Sequence, residues 1–388
     1  MPENLHIMFV GTTHPYRGGL ASFNERLAVE FQKQGHRFDI YTFTLQYPSM
    51  LFPGKTQYTT EPEPENLSIT RRVNAINPFN WWKIGKQIRK QKPDILLFKF
   101  WLPFMSPCFG TIARKTKKNK HTQVLAILDN VIPHEKRIGD KTLVKYFLKS
   151  VDGFVYMSEN VKNSLDLFDK EKPRLFNPHP LFDNFGSLLP KEDAKKALGL
   201  DASRQYILFF GFIRDYKGLD LLIDAFADER FRDKNLRVIV AGEFYTDDKK
   251  YYDQVKKHNL EQEIFFFPDF IPDSKVTVYF SACDVVVQPY KSATQSGVTQ
   301  IAYHFEKPMI VTGVGGLKEL VPHNKAGYVV EKEPRAIADA IFDFYDKNME
   351  NNFIQHIKQE KEKYSWSRMI ETIKKLHNLV EKNDFSPE

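Results

Sequence analysis

Short apolar runs alternate with stretches of helical periodicity along the first half of the chain. After the first run, apolar residues recur every three to four positions, which predicts a helix over Leu20–Gln34 that ends at Gly35. The predicted strands of this half are Leu5–Val10, Arg37–Thr44, Ile95–Phe98, Gln123–Leu128 and Gly153–Met157. Such alternation is typical of βαβ units, so we expect a mostly parallel sheet covered on both faces.

The same alternation restarts after residues 185–190, a stretch with glycine, serine and proline that is typical of a linker. The elements predicted beyond it are the helices Lys191–Leu198 and Leu219–Ala227 and the strands Tyr206–Gly211, Leu236–Gly242, Glu263–Phe267, Asp284–Gln288 and Pro308–Thr312. Two successive α/β domains, 1–186 and 187–366, fit this pattern better than one. The last periodic segment, Ser367–Val380, predicts an amphipathic helix.

Composition narrows the class of protein. A chain of 388 residues with 42% hydrophobic residues is long and apolar enough for two cores. The two cysteines, Cys108 and Cys283, exclude a disulfide framework and a cysteine-based zinc site. No apolar run is long enough to span a bilayer, and the start, Met1–Asn4, lacks the pattern of a signal peptide. We therefore expect a cytoplasmic protein.

The net charge of +7 is unevenly divided between the two halves. Residues 1–185 carry 27 Lys and Arg against 17 Asp and Glu, whereas residues 186–388 carry 29 against 32. A basic half favours an anionic partner, such as a membrane surface, nucleic acid or a phosphorylated substrate. A solvated basic face without a partner is the alternative.

Aromatic residues stand among the cations of the basic half. Trp81 and Trp82 precede Lys83 and Lys86, and a second basic run covers residues 114–120. This mixture is typical of docking on the interface of an anionic membrane. It also suits RNA, but no nucleic-acid-binding motif accompanies it, so we expect no nucleic-acid partner. A core tryptophan pair beside a solvated face is the remaining alternative.

Two loops that follow predicted strands carry residues suited to a phosphate ligand. The first contains Gly18 and Gly19, which let the backbone approach a ligand where a helix begins. The second contains Arg214 and Lys217, two cations near a helix start that can hold a diphosphate. Taken singly, each feature also occurs in ordinary turns and on ordinary surfaces.

A third loop, residues 292–298, is rich in small hydroxyl side chains and leads into a helix, where free N–H groups can bind an anion. Its candidate ligand contacts are Thr294, Gln295, Ser296 and Gly297. A Gly-Gly pair follows the next strand, and Glu319 lies three residues further on. Helix capping is the alternative for these residues. Since parallel sheets bind ligands beyond the carboxyl ends of their strands, the common location of the loops favours a binding site.

Several motifs of other enzyme classes are missing. The chain contains no P-loop, no dinucleotide fingerprint after the first strand and no Gly-x-Ser-x-Gly element. It also has no pair of aspartates separated by one residue, which could clamp a metal ion. We therefore expect neither P-loop phosphoryl transfer nor serine hydrolysis, and no metal site.

The order of the motifs resembles the GT-B retaining glycosyltransferases of family 4. The motifs are the Gly-Gly loop, Gly-x-x-Arg-x-x-Lys-Gly at 211–218, Val-Ala-Gly-Glu at 240–243, Lys-Pro-x-Ile at 307–310 and Gly-Gly-x-x-Glu at 315–319. The resemblance implies two Rossmann-like domains facing each other across a cleft. It makes the first the acceptor-binding domain, to which a last helix, 367–388, crosses back, and the second the nucleotide-sugar-binding domain. It also implies retention of configuration without a metal or cofactor.

Residue roles follow from this resemblance position by position. Lys217 matches the family lysine that holds the donor diphosphate, and the Gly-Gly loop matches the segment that approaches the diphosphate and the acceptor. Glu319 matches a family glutamate near the nucleotide. The family arginine directly follows the glycine, where this chain has Phe212, so the resemblance gives its role to Arg214.

The chain departs from the family at two glutamates that stand eight residues apart and contact the sugar and the ribose. Aligned on the Lys-Pro motif, these positions are Ala293 and Ile301, whose side chains accept no hydrogen bond. Donor contacts then fall to backbone N–H groups and to residues 294–296. The family also has a histidine at the end of a first-domain strand. Here Asp129 occupies that position and His134 lies five residues later, and either residue could orient the sugar or the acceptor.

The prediction is therefore a hexosyltransferase that moves a sugar from a nucleotide diphosphate to a glycan or lipid-linked acceptor in cell-surface polysaccharide synthesis. We also expect this cytoplasmic protein to bind peripherally to the inner face of the membrane. The missing glutamate pair leaves two alternatives, a non-catalytic GT-B sugar-nucleotide binder and a GT-B-like sugar-nucleotide epimerase.

Overall fold

The computed structural model describes residues 4–48, 56–132, 139–232, 234–293 and 296–384. The chain divides into two compact units. Unit 1 consists of residues 1–180 and 365–388, and unit 2 consists of residues 181–364. Each unit contains one β-sheet, and all strand pairs within the two sheets are parallel. The predicted α/β fold with two mostly parallel sheets is confirmed.

Unit 1 has a seven-stranded sheet in the order β3-β2-β1-β4-β5-β6-β7. Its elements are β1 (His6–Val10), α1 (Gly19–Lys33), β2 (Arg37–Leu45), β3 (Ser68–Asn74), α2 (Pro78–Gln91), β4 (Ile95–Phe100), α3 (Ser106–Thr116), β5 (Gln123–Leu128), α4 (Asp140–Leu148), β6 (Gly153–Tyr156), α5 (Glu159–Leu165), β7 (Arg174–Phe176) and α14 (Trp366–Asp384). Strands β4 and β5 are buried along their whole length. Burial on both faces is typical of central parallel strands, and it explains why both are apolar apart from Lys99 and Gln123.

Helices cover the sheet of unit 1 with aromatic side chains. On one face, Phe98 of β4 packs against Phe109 of α3 and Phe147 of α4, with ring centroids 4.8 and 5.7 Å away. The last helix, α14, packs on β6, where a Cβ built at Gly153 would lie 2.9 Å from the Leu376 side chain. The absence of a side chain at position 153 therefore lets α14 lie close to the sheet.

Unit 2 has a six-stranded sheet in the order β10-β9-β8-β11-β12-β13. Its elements are α6 (Lys191–Ala197), β8 (Gln205–Phe210), α7 (Leu219–Phe226), β9 (Leu236–Ala241), α8 (Lys249–Lys257), β10 (Ile264–Phe267), α9 (Asp273–Ala282), β11 (Val285–Gln288), α10 (Gly297–His304), β12 (Met309–Thr312), α11 (Leu317–Leu320), β13 (Gly327–Val330), α12 (Pro334–Asp346) and α13 (Glu350–Glu360). The central strand β8 pairs on one side with β9, the next strand in the chain, and on the other side with β11. The strand order reverses there, which is where open parallel sheets bind ligands.

Candidate functional site

The loops after β8, β9 and β11 touch one another at the carboxyl edge of the second sheet. A Cβ built at Gly242 would lie 2.2 Å from the carbonyl oxygen of Gly211, and one at Gly218 would lie 2.0 Å from that of Pro289. No side chain fits at either glycine. The two contacts therefore fix the backbone of the motif at 211–218 against its two neighbouring loops.

Lys217 lies in a short 3-10 turn, Asp215–Lys217, and its side chain turns back over this edge. The residue is 8% exposed, and its Nζ lies 3.0 Å from a Cβ built at Gly211 and 5.6 Å from the centroid of the Tyr290 ring. Among the residues that the structure describes, the ammonium has no hydrogen-bond acceptor and no carboxylate partner. Burial, with a smaller contribution from the charge of Arg214, lowers the pKa of Lys217 to about 7. A buried cation without a counter-charge is costly unless an anion binds beside it.

Arg214 stands at the start of the same turn. Its guanidinium carbon lies 5.0 Å from the centroid of the Tyr245 ring, which in turn packs against Phe212 at 4.6 Å. The adjacent carboxylate, Asp215, forms an ion pair with Lys250. The negative charge of the turn is thus engaged by a cation of α8, and the two predicted phosphate-binding cations both remain without a carboxylate partner among the described residues.

Ser296 is buried and precedes α10. Its Oγ donates to Oε1 of Gln288 at 2.7 Å, and the same oxygen accepts a hydrogen bond from Thr299 at 3.1 Å. The Ser296 hydroxyl also lies 3.4 Å from that of Tyr290. It therefore braces the start of α10 against β11, and its side chain does not cap the helix. What this segment offers to a ligand is the backbone at Gly297, the first residue of α10.

These contacts bring part of the predicted site together. Tyr290 contacts both the Lys217 ammonium and the Ser296 hydroxyl, so the second and third candidate loops converge on one place in unit 2. Two further candidates of the third loop, Thr294 and Gln295, lie outside the described residues. The sequence reasoning missed Gln288 and Tyr290, since polar residues at a strand end carry no motif.

The two positions at which the family has glutamates are apolar and buried. Ala293 lies just before the start of α10 and Ile301 lies within it. Glu319 is exposed on α11, a four-residue helix that follows β12 at the same edge of the sheet. Its carboxylate makes no hydrogen bond or ion pair with the described residues. Positions 293 and 301 therefore offer no carboxylate at this edge of the sheet, and the predicted contact Glu319 is exposed there.

In unit 1, the predicted glycine loop connects β1 to α1. Gly18 has a φ of 97° and precedes the helix, which begins at Gly19. The loop is tied to the fold by Asn24, whose Nδ2 donates to the carbonyl of Thr12 at 2.7 Å. The left-handed φ explains a glycine at position 18 and leaves Gly19 exposed at the helix start.

Asp129 follows β5 and forms an ion pair with Lys99 of β4, with Nζ and Oδ1 3.0 Å apart. Burial raises the pKa of Asp129 and lowers the pKa of Lys99, and their mutual attraction opposes both changes. His179 lies nearby, and its Nδ1 donates to the Pro180 carbonyl at 2.7 Å. The other catalytic candidate, His134, lies outside the described residues.

The described residues contain no group of three or more His, Cys, Asp or Glu side chains that could hold a metal ion. None of the helices in this part of the chain combines the length and the hydrophobicity that crossing a bilayer requires.

Models of two protein families match the chain. The model described as Glycosyltransferase Family 4 matches residues 17–175, and the model described as Glycosyl transferases group 1 matches residues 190–360. Each match falls within one unit. The second match spans all six strands of its sheet, whereas the first begins after β1, in the loop before α1.

Two curated relatives align with most of the chain. An uncharacterised glycosyltransferase of Methanocaldococcus jannaschii is 24% identical over 383 residues, covering 96% of this chain and 98% of that protein. The alpha-monoglucosyldiacylglycerol synthase of Streptococcus pneumoniae is 26% identical, covering 82% of this chain and 74% of that protein.

Solved structures share the fold over nearly the whole length. Sucrose-phosphate synthase from Thermosynechococcus elongatus has a TM-score of 0.74 at 15% identity, covering 97% of this chain and 100% of that one. HepE of Anabaena, solved in complex with UDP and glucose, has a TM-score of 0.72 at 15% identity, covering 96% of this chain and 98% of that one. At this level of identity the likeness concerns the fold.

Proposed function

The chain belongs to the GT-B glycosyltransferases of family 4, and on that premise we propose that it transfers a hexosyl group from a nucleotide-diphosphate donor. The acceptor is a glycan or a lipid-linked sugar of a cell-surface polysaccharide, and transfer proceeds with retention and without a metal ion. A structural neighbour is titled as a complex with UDP and glucose, and a relative is named as a diacylglycerol glycolipid synthase. These names support a uridine donor and an acceptor with a lipid anchor.

The observation that carries the proposal is the buried ammonium of Lys217. A nucleotide-sugar diphosphate has about two negative charges, and each must be compensated when it leaves water. Lys217 has no counter-charge among the described residues, and Arg214 stands three residues away in the same turn. The N–H groups at the start of α10 supply further donors. The diphosphate therefore binds between the 211–218 turn and Gly297.

The same cations serve the chemistry. As the bond between the sugar and the diphosphate breaks, negative charge increases on the leaving oxygen. A fixed cation beside that oxygen stabilises the transition state more than the ground state. In the proposal, Lys217 is this cation. Its side chain is an ammonium when the donor is bound, because the negative charge of the diphosphate raises the pKa of Lys217. Unit 1 binds the acceptor, and Asp129 accepts a hydrogen bond from an acceptor hydroxyl.

A thermal-shift screen of nucleotide sugars, followed by a transfer assay with glycan and lipid-linked acceptors, tests the proposal. A ligand of the folded state raises the melting temperature by mass action. Substitution of Lys217 by Ala should then raise the dissociation constant of the selected donor by one to two orders of magnitude, since a hydrogen bond to a charged group contributes about 1.5–3 kcal/mol.

Lys195→Ala is the matched control. Lys195 is also a buried lysine of unit 2, but its Nζ donates to the carbonyls of Ala202 and Arg204 at 3.0 and 2.6 Å. We expect this variant to bind the donor like the wild type. Equal donor affinity in wild type and Lys217→Ala would remove the diphosphate assignment. Donor binding without transfer to any acceptor would make the protein a binder, and conversion of the donor sugar to its epimer would make it an epimerase.

We propose further that unit 1 docks on the inner face of an anionic membrane. Helices α2 and α3 pack together at Gly85, where a built Cβ would lie 2.6 Å from the Lys115 Cβ. This contact places the two basic runs of the sequence side by side. Phe79 is 87% exposed and Trp82 is 47% exposed on the same helix, α2.

The two neighbouring tryptophans have different environments. Trp82 lies under two ammonium groups, with the Nζ atoms of Lys86 and Lys115 at 5.1 and 5.5 Å from its ring. Trp81 is partly buried against the core, and its Nε1 donates to the Asn74 carbonyl at 2.7 Å. The interfacial aromatic residues of the proposal are therefore Phe79 and Trp82, and Trp81 anchors α2 to the fold.

A further inference from the structure

Strand β4 contains a lysine in an otherwise apolar buried run. Lys99 is 1% exposed, and its Nζ lies 3.0 Å from the centroid of the Phe23 ring of α1. The Asp129 carboxylate lies 3.0 Å from this Nζ, and the Asp129 side chain is 15% exposed. A buried ammonium is costly, and a buried ion pair is rarely more stable than apolar side chains of similar volume. Fold stability alone therefore does not account for Lys99.

The sheet topology sets the geometry of the pair. Strands β4 and β5 are neighbours, with Lys99 opposite Ile127, and the Asp129 N–H donates to the Phe100 carbonyl at 2.9 Å. Side chains alternate between the faces of a strand, so positions 127 and 129 lie on the same face as Lys99. The lysine thus stands behind the carboxylate, while the carboxylate has access to solvent at the carboxyl edge of the sheet.

We propose that Lys99 is a positioning residue, whose ammonium holds the Asp129 carboxylate charged and in one orientation for an acceptor hydroxyl. This inference rests on the proposed function, because that function supplies the acceptor. Lys99 itself has too little exposure to contact a substrate. Its effect on transfer passes through Asp129.

Two uncharged rings, those of His179 and Phe23, lie beside Lys99. His179 faces Lys99, and burial together with that charge lowers the pKa of His179 to about 3, so the ring stays neutral near pH 7. On the side of α1, the uncharged ring of Phe23 packs against the Lys99 ammonium. Arg26 and Glu30 of the same helix are paired with each other at 2.9 Å.

The sign of the pH effect follows from these contacts. Burial raises the pKa of Asp129, and Lys99 opposes that rise. Without the lysine charge, the pKa of Asp129 rises further. Since only the ionised carboxylate holds the acceptor hydroxyl as proposed, transfer falls as pH falls through this pKa. Loss of Lys99 therefore moves the acidic limb of the pH profile to higher pH.

The test is the pH profile of kcat/KM for sugar transfer between about pH 5 and 9. Lys99→Met and Lys99→Gln should move the acidic limb upward by about one pH unit or more, because both lack the charge. Lys99→Gln keeps a polar group and serves where Lys99→Met does not fold. Lys99→Arg restores the charge and should return the limb toward the wild-type position. Donor affinity should stay unchanged in all three variants.

Lys172→Met is the matched control in the same unit. Lys172 is a half-buried lysine 3.5 Å from Asp169, and its substitution should leave the acidic limb in place. Asp129→Asn should abolish the limb, and adding Lys99→Met to it should cost little more activity, since residues that act as a unit are non-additive. Equal losses across the whole pH range in the Lys99 variants, or additive losses in the double variant, would overturn the inference. Absence of transfer by the wild type would instead refute the proposed function.

Discussion

At the scale of single residues, the role proposed for Lys217 predicts that donor binding depends on pH. Its pKa in the free protein is about 7 because of burial and the nearby Arg214. A bound diphosphate favours the ammonium, so above pH 7 binding takes up a proton. The donor dissociation constant should then rise with pH, by up to about tenfold per pH unit. Calorimetry between about pH 6 and 9, in two buffers of different ionisation enthalpy, measures this proton uptake.

Lys217→Arg is the informative comparison, because a guanidinium remains charged throughout this pH range. Its donor affinity should vary little with pH, even where its absolute affinity is lower than that of the wild type. If the wild type shows no proton uptake at pH 8, Lys217 does not sit against the diphosphate.

The residues that the sequence could and could not reveal differ in how local their signals are. Lys217 and Arg214 lie in one short segment between a strand and a helix, so the sequence alone is enough to recognise their motif. Lys99 lies inside an apolar run, and its partner, Asp129, comes 30 positions later on the neighbouring strand. The pairing depends on which strands are adjacent, which the sequence pattern leaves open. Gln288 was missed for the same reason, since its partners, Ser296 and Thr299, lie at and just after the start of α10.

At the scale of elements, close contacts between loops hold the candidate donor site in shape. Gly218 has a φ of 70°, and a built Cβ would lie 2.0 Å from the Pro289 carbonyl oxygen. Gly218→Ala should therefore displace the loop between β11 and α10. A left-handed alanine costs about 1–2 kcal/mol, and overpacking adds about 1–3 kcal/mol. Urea unfolding and donor titration should show both lower stability and weaker donor binding.

Gly199→Ala is a control that separates the cost of a left-handed alanine from the effect of displacing a neighbouring loop. Gly199 has nearly the same φ, 69°, but nothing lies within 4 Å of a built Cβ. This variant should lose only the cost of the left-handed conformation and should bind the donor normally. The loop contact would be unimportant if the two alanine variants had equal stability and equal donor affinity.

Most strands were predictable because burial on both faces forces them to be apolar. The observed β5, Gln123–Leu128, has the predicted bounds, and the other predicted strands differ by one or two residues at their ends. Three strands of the part of the chain that the structure describes were missed. Ser68–Asn74 is an edge strand with two exposed arginines, and its polar pattern therefore lacks the apolar run of a central strand. Arg174–Phe176 and Gly327–Val330 are edge strands that are only partly buried, and neither follows the pattern of a buried central strand.

At the scale of the whole molecule, the two units share a plan and differ in charge. In both, candidate binding residues follow the carboxyl ends of parallel strands, as expected for open α/β sheets. The basic excess belongs to the first half of the chain, where 27 Lys and Arg face 17 Asp and Glu. Since the proposed diphosphate site lies in unit 2, the donor does not explain that excess. A second anionic partner, which we propose to be the membrane surface, does.

Reversal of three exposed cations on α2 tests this partner. The triple variant Lys83→Glu, Lys86→Glu, Lys90→Glu should bind vesicles containing phosphatidylglycerol about a hundredfold or more weakly at low salt, because each cation near an anionic leaflet contributes about 1 kcal/mol. The control reverses three exposed lysines of unit 2, Lys256, Lys257 and Lys332, and changes the net charge equally. Co-sedimentation should show binding of the wild type and the control to anionic vesicles, little binding to neutral ones, and a loss of binding as salt shortens the Debye length. Equal weakening in both triple variants would mean that net charge alone, and not the face formed by α2 and α3, attracts the protein. Equal binding of the wild type to neutral and anionic vesicles would remove the membrane from the proposal.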